Sequence, residues 1–128
     1  MGITAYESSM AITQLKGAAR EFAQDLMDIR ARALAGSDSG FLVVSSGRKG
    51  YWVYRRPNLV VKSRDFASAG TGFLQFSSVP AYIIRFSING SPSASGKFVL
   101  KHNRIPSAQI HINLQPVTGR IRTEHVRL

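Results

Sequence analysis

Three histidines, His102, His111 and His125, are the side chains of this chain best suited to proton transfer near neutral pH. Two of them with an arginine would make a ribonuclease-like acid–base site. A shared face for such a site is not evident from the sequence. No pair sits at a metal-ligand spacing, and no cysteine or nearby carboxylate completes a set, so no metal site is indicated. The histidines read as solvent-facing strand residues. Serines are abundant, but beyond residue 38 only Asp65 and Glu124 are acidic, which leaves a Ser-His-Asp triad without support. Two glycine-bearing runs touch on phosphate chemistry. The run from Gly90 through Gly96 to Lys97 departs from a P-loop in three ways: five residues separate its glycines, Phe98 stands where the Ser or Thr metal ligand belongs, and a strand pattern follows where a helix should. Gly70-Thr71-Gly72 lacks the third glycine of a dinucleotide fingerprint and precedes no helix. Both read as loops, the first as a hairpin loop. No catalytic constellation and no cofactor site emerge.

The cationic residues carry a more specific signal. Arg120 and Arg122, after Gly119, stand at i and i+2 of a strand-like segment, hence on one face about 7 Å apart. Two guanidinium forks at that spacing can each take a phosphate oxygen, glycine permits close backbone approach, and Arg127 lies close behind in sequence. Edge-strand arginines that prevent aggregation fit the same pattern equally well. The net charge of +10 is unevenly placed. Residues 1–38 hold four basic and five acidic side chains, net −1, and residues 39–128 hold thirteen basic and two acidic, net +11. Such a basic half suggests a polyanionic partner, nucleic acid or anionic lipid, with a solubilising surface as the plain alternative.

These side chains need a scaffold, and the hydrophobic pattern supplies one. Ile12, Leu15, Ala19, Phe22, Leu26, Ile29 and Ala33 recur in steps of three and four, which predicts one amphipathic helix with Lys16, Arg20, Gln24 and Asp28 on its far side. Ser8 or Ser9 is the expected cap and Gly36 the stop. The period then changes to two. Residues 41–46 and 51–55 predict a hairpin around a glycine-bracketed turn that holds Arg48 and Lys49. Further strands are expected at 59–62, 73–76, 82–88, 97–101, 109–115 and 120–126, with a loop at 66–72. In the segment 82–88, Tyr82, Ile84, Phe86 and Ile88 should share one face; in 97–101, Lys97 and Lys101 should point outward. The fold class is α+β, a long N-terminal amphipathic helix on antiparallel sheets: residues 1–36 form the helix and 37–128 the β part of one domain. No run approaches the roughly 18 apolar residues of a membrane span, and no signal peptide opens the chain.

Read together, these features resemble the GspH/FimT type of minor pilin, the type IV pilin-like pseudopilins. The helix residues Ala18 to Leu26 and then Ile29 to Ala35 are similar to the second half of that family's pilin helix. Ile84, Phe86 and Gly90 match an I-x-F-x-x-x-G strand, and Ile112, Leu114, Gly119, Arg120, Ile121 and Arg122 resemble a closing I-x-L-x-x-x-G-R-I/V-R, with four residues here between Leu114 and Gly119. The resemblance covers nearly the whole chain and implies a pilin-like β-sandwich on a helix that polymerises with other pilins or pseudopilins, in the cell envelope. The family's prepilin-peptidase site, glutamate and hydrophobic half-helix have no counterpart, and truncation is the expected cause; the absent segment would anchor the chain in the inner membrane. FimT-like members resemble DNA receptors for natural transformation, and their Gly-Arg-x-Arg signature is matched at Gly119, Arg120 and Arg122. The +11 excess favours that branch, with sequence-independent phosphate contacts. Arg48, Lys49, Lys101, Arg104 and Arg127 are candidate helpers; Trp52, Tyr51 and Tyr54 read as packing residues before stacking surfaces. The alternative is a structural GspH-like pseudopilin of type II secretion or pilus initiation, without DNA binding. A small secreted nuclease or toxin that uses the histidines is a third class. Neither pilin reading calls for enzymatic activity.

Overall fold

The computed structural model describes residues 5–36, 40–56, 59–66, 74–105 and 107–126. The apolar stripe becomes helix α1, Ala5–Leu34, which begins ahead of the expected caps, so Ser8 and Ser9 lie inside it. At its other end Gly36 takes a left-handed φ of 69° and its N–H donates to the Ala33 carbonyl, closing the helix as the sequence predicts. The strands are β1 Phe41–Val44, β2 Gly50–Arg56, β3 Leu59–Asp65, β4 Leu74–Ser78, β5 Ile83–Arg85, β6 Gly96–His102, β7 Gln109–Leu114 and β8 Ile121–Val126. They form two antiparallel four-stranded sheets, ordered β3-β2-β1-β5 and β4-β6-β7-β8. The helix lies against β6, β7 and β8 of the second sheet and β1 of the first. This is the α+β architecture expected from the pattern.

The core lies between the helix stripe and the inner faces of both sheets. Leu15, Phe22 and Leu26 meet Leu42, Tyr51, Phe76, Phe98, Leu100 and Ile110, all fully buried or nearly so. The alternation predicted for β6 and β7 is realised without a slip: Phe98 pairs with Ile112 and Leu100 with Ile110 facing inward, Lys97 with Asn113 and Val99 with His111 facing outward. Phe66, expected in a loop, is a buried core residue; positions 67–73, including the Gly70-Thr71-Gly72 run, lie outside the described residues.

Further expectations are corrected, first around the serine-rich segment. The strand predicted over 82–88 is only Ile83–Arg85 long. The backbone folds back at Ser87, whose N–H donates to Ser91 O while Ser93 N–H returns to Arg85 O, and this leaves Ile88 at the tip, 68% exposed. The serine-rich segment after it begins as that tight turn and then crosses from the first sheet to the second, where a plain hairpin loop was expected. The second correction concerns His102, which is buried under the helix. Its ring meets Gln14 Oε1 at 3.0 Å through Nε2 and receives the Arg104 backbone N–H at Nδ1, 3.2 Å away.

On its other flank the helix is tied to the first sheet by charge. Lys62 Nζ lies 2.7 Å from Glu21 and 2.9 Å from Asp25, Arg64 Nε donates to Glu21 at 3.1 Å, and the Tyr51 hydroxyl donates to Asp25 at 2.6 Å. Burial alone would push the Glu21 carboxyl up, but hydrogen bonds from Lys62 and Arg64 outweigh it and hold it below the usual range. Burial alone would likewise lower Lys62, and its bonds to Glu21 and Asp25 raise it instead. Burial, with the Arg104 charge behind it, lowers His102.

The signs fix a pH profile. His102 and Glu21 have depressed values, so their stabilisation is present above about pH 6.5 and about pH 4.3 respectively and is lost as the pH falls through the folded values. Lys62 is raised, so its share is present below about pH 10.4 and lost as the pH rises through its folded value. Urea midpoints should therefore fall in two stages on acidification, one below about pH 6.5 and one below about pH 4.3. His102→Asn, which keeps an acceptor for the Arg104 N–H, should abolish the first stage alone; an unchanged first stage would assign it to another group.

Candidate nucleic-acid interface

The conformation that presents Arg120 and Arg122 is set from the helix. Arg30 reaches across from α1 and donates through Nε and Nη2 to the Thr118 carbonyl, at 3.1 and 2.9 Å. Beneath this clasp Gly119 is buried with φ +69°, and a methyl group there would run into the Gly90 carbonyl oxygen and stand 3.2 Å from Arg30 Nε. Gly90, at φ +84°, is under the same constraint: its Cβ would stand 3.1 Å from Leu34 and 3.3 Å from Arg30. The Ser91 hydroxyl closes the contact by donating to the Val117 carbonyl. The close approach that Gly119 permits is thus to another turn of the same chain. Gly119 shapes the site from beneath, and the surface belongs to its neighbours.

From this clamped turn the chain enters β8 at the edge of the second sheet. Gln115 N–H donates to the Arg120 carbonyl at 2.9 Å, and the ladder continues with Leu114 opposite Ile121 and Asn113 opposite Arg122. Ile121 is buried, so the flanking Arg120 and Arg122 point to the outer face, both exposed. Neither guanidinium has a hydrogen bond or ion pair among the described residues. The register adds a residue that sequence reasoning marked only as outward-facing: Lys97 lies opposite Asn113, which lies opposite Arg122. Lys97 is exposed and about 10 Å from Arg122 across two strand spacings. Only cross-strand register could have found it. Farther along the face Glu124 stands opposite His111, so the unopposed positive end is the one formed by Arg120, Arg122 and Lys97.

The other candidates are dispersed. Lys101 lies on the same face but at the opposite end of β6, opposite Gln109, half-buried. Arg104 follows in the exposed turn beyond β6. Arg48 and Lys49 sit in the β1–β2 turn, which touches β4 through a bond from Phe76 N–H to the Arg48 carbonyl, about 14 Å across the sheet from β8. Arg48 is held there at φ 61° by bonds to the Ser77 carbonyl at 2.9 Å and the Tyr82 hydroxyl at 3.0 Å, so its guanidinium serves the fold. Lys49 is exposed. Arg127 lies outside the described residues. Of the aromatics, Tyr51 is core, Tyr54 stacks on Phe41 at 4.7 Å, and Trp52 is exposed on the first sheet, away from β8.

The histidines do not share a site. His102 is buried, His111 faces outward and bonds to Gln109 at 2.8 Å, and His125 lies on the inner side of β8, opposite Ile110. Among the described residues no three His, Cys, Asp or Glu side chains gather as a metal centre would need, and no helix is long and apolar enough to cross a membrane.

The helix packed on two antiparallel sheets matches the fold of solved minor pilin and minor pseudopilin structures, so a GspH/FimT-type minor pilin fold fits. The solved structures similar to it bear this out. The type IV minor pilin FimU of Pseudomonas aeruginosa superposes in two crystal forms, with TM-scores of 0.70 and 0.66 at 17% identity, covering 88% and 86% of this chain and 89% and 92% of FimU. The minor pseudopilin EpsH of the Vibrio cholerae type 2 secretion system gives a TM-score of 0.61 at 14% identity, covering 88% of this chain and 97% of EpsH. No protein-family profile and no curated protein matches the sequence.

The clasp and the arginines should separate on mutation. Gly119→Ala forces a methyl against the Gly90 carbonyl at a left-handed φ and should cost about 2–5 kcal/mol in denaturant unfolding. Arg120→Ala should stay within about 0.5 kcal/mol of wild type. Equal costs would mean that Arg120 is structural.

Proposed function

We propose that this chain is a minor pilin of a type IV pilus that binds DNA through phosphate contacts, without sequence preference, and so serves DNA uptake in natural transformation. The observation that carries the reading is a pair of exposed arginines, Arg120 and Arg122, free of partners among the described residues and joined by Lys97, on a β part with a net charge of +11 against −1 for residues 1–38. Guanidinium and ammonium groups spaced about 7–10 Å apart on one sheet face suit successive phosphates and offer no pattern that would read bases. Assembly with other pilins would use the outer ridge of α1, where Thr13, Gly17 and Ala31 are small and exposed and nothing lies within 4 Å of a Cβ on Gly17.

The likeness to a type 2 secretion pseudopilin supports a second reading, a structural subunit whose arginines meet neighbouring subunits. A salt series with a fluorescent duplex separates the two. The first reading expects a Kd of about 10⁻⁶–10⁻⁴ M near physiological salt. Arg120→Ala with Arg122→Ala should weaken binding at least tenfold and lower the salt slope by about 1.8. Wild-type protein that does not bind at low salt would leave the pseudopilin reading.

A further inference from the structure

The helix has flanks of opposite character. On the side of the first sheet Glu21 and Asp25 are matched by Lys62 and Arg64 of β3. On the side of β8 the exposed cations are Lys16 and Arg20, and the strand residues that line the same groove are Thr123 and His125, with no carboxylate among its lining. Glu124, between those two, points to the outer face. Neither Lys16 nor Arg20 has an ion pair or hydrogen bond among the described residues. Between the two elements lies a groove of about 320 Å³, with buried Ala19 and Ala23 as its apolar floor and the exposed Gln24 and Met27 beside them. The first hydrogen-bonded pair of the last hairpin is Gln115 with Arg120. Alternation along an antiparallel ladder then turns the backbone N–H groups of Thr123 and His125 to the free edge beside the groove.

We infer that this groove takes an unpaired nucleotide of a DNA strand whose phosphates also reach Arg120 and Arg122. The inference rests on the DNA-binding reading and deepens it by naming the form bound, single-stranded DNA. Cations line both faces of one edge strand, so a phosphodiester chain can cross the edge of β8 from the outer arginines to Lys16 and Arg20. The distance along β8 from Arg122 to His125 is about 10 Å, a short stretch of extended strand. The apolar floor suits a base or sugar rather than a phosphate, and only an unstacked nucleotide can lay a base into a concave, nucleotide-sized site. A duplex, with its bases stacked inside, can offer the groove phosphates alone. Ammonium and guanidinium groups supply the charge, and Gln24, Thr123 and the free edge supply directional hydrogen bonds.

The test compares twelve-nucleotide oligothymidine with a twelve-base-pair duplex, both fluorescein-labelled, against wild type, Lys16→Gln with Arg20→Gln, and Arg120→Ala with Arg122→Ala. All four side chains are exposed, and circular dichroism with thermal melts checks each fold. The groove variant should lose at least tenfold in affinity for oligothymidine and about 1.4 in salt slope, with a clearly smaller loss for the duplex, which can offer the groove phosphates but no base. Oligothymidine affinity unchanged in the groove variant, while the Arg120 and Arg122 variant loses binding to both probes, overturns the groove and leaves the DNA-binding reading standing. Hexaglutamate displacing oligothymidine from wild type at equal charge concentration would overturn it in favour of an acidic polypeptide. Wild type that binds neither probe would overturn both readings.

Discussion

Phe22 sits where the helix crosses the seam between the two sheets. Its ring lies 5.0 Å from Tyr51 of β2, 4.9 Å from Phe76 of β4 and 4.8 Å from Phe98 of β6, so one side chain of the helix touches both sheets at once. Truncating a ring so enclosed costs about 3–5 kcal/mol, against a typical domain stability of about 5–15 kcal/mol. The rest of the stripe extends that contact in both directions, from Leu15 to Ile29. The helix stripe and the inner faces of both sheets share one core, and the outer faces are left to carry whatever function the surface has.

Once the helix is seated, its other sides acquire fixed partners. Glu21 and Asp25 meet Lys62, Arg64 and Tyr51, Gln14 meets His102, and Arg30 closes over Gly90 and Gly119. The last contact joins three segments widely separated in sequence and fixes the turn from which β8 departs. Arg120 and Arg122 are therefore presented from a turn held by several contacts, which lowers the cost of ordering them on a ligand. The same helix leaves its Lys16 and Arg20 flank unmatched, so the unopposed positive charge follows β8 round from its outer face to its inner one.

Much of this was legible in the amino-acid pattern because it depends on local periodicity. The three-four spacing from Ile12 to Ala33 defines the helix, and the alternation of Ile110, Ile112 and Leu114 defines β7, each without outside information. The strand over 82–88 was overextended because alternation cannot see a turn closed by a serine hydroxyl: Ser87 Oγ accepts from Asn89 and Ser91 N–H and ends the strand early. The burial of His102 depends on Gln14, 88 residues away. Lys97 joins Arg122 only through the register of β6, β7 and β8, and Gly119 meets Arg30 and Gly90 only in three dimensions. The arginine pair was visible as a pattern; what holds it in place was not.

In the proposed function, phosphate is met at the clamped start of β8. The direct measurement is a residue-by-residue map of backbone amide shifts by NMR as an unlabelled oligonucleotide is titrated into the isotope-labelled protein. The largest shifts are expected on Arg120 to Thr123 and on Lys97, while the β1–β2 turn at Lys49 and the outer face around Trp52 stay still. Shifts centred on that turn or on the first sheet, with β8 unmoved, would contradict it.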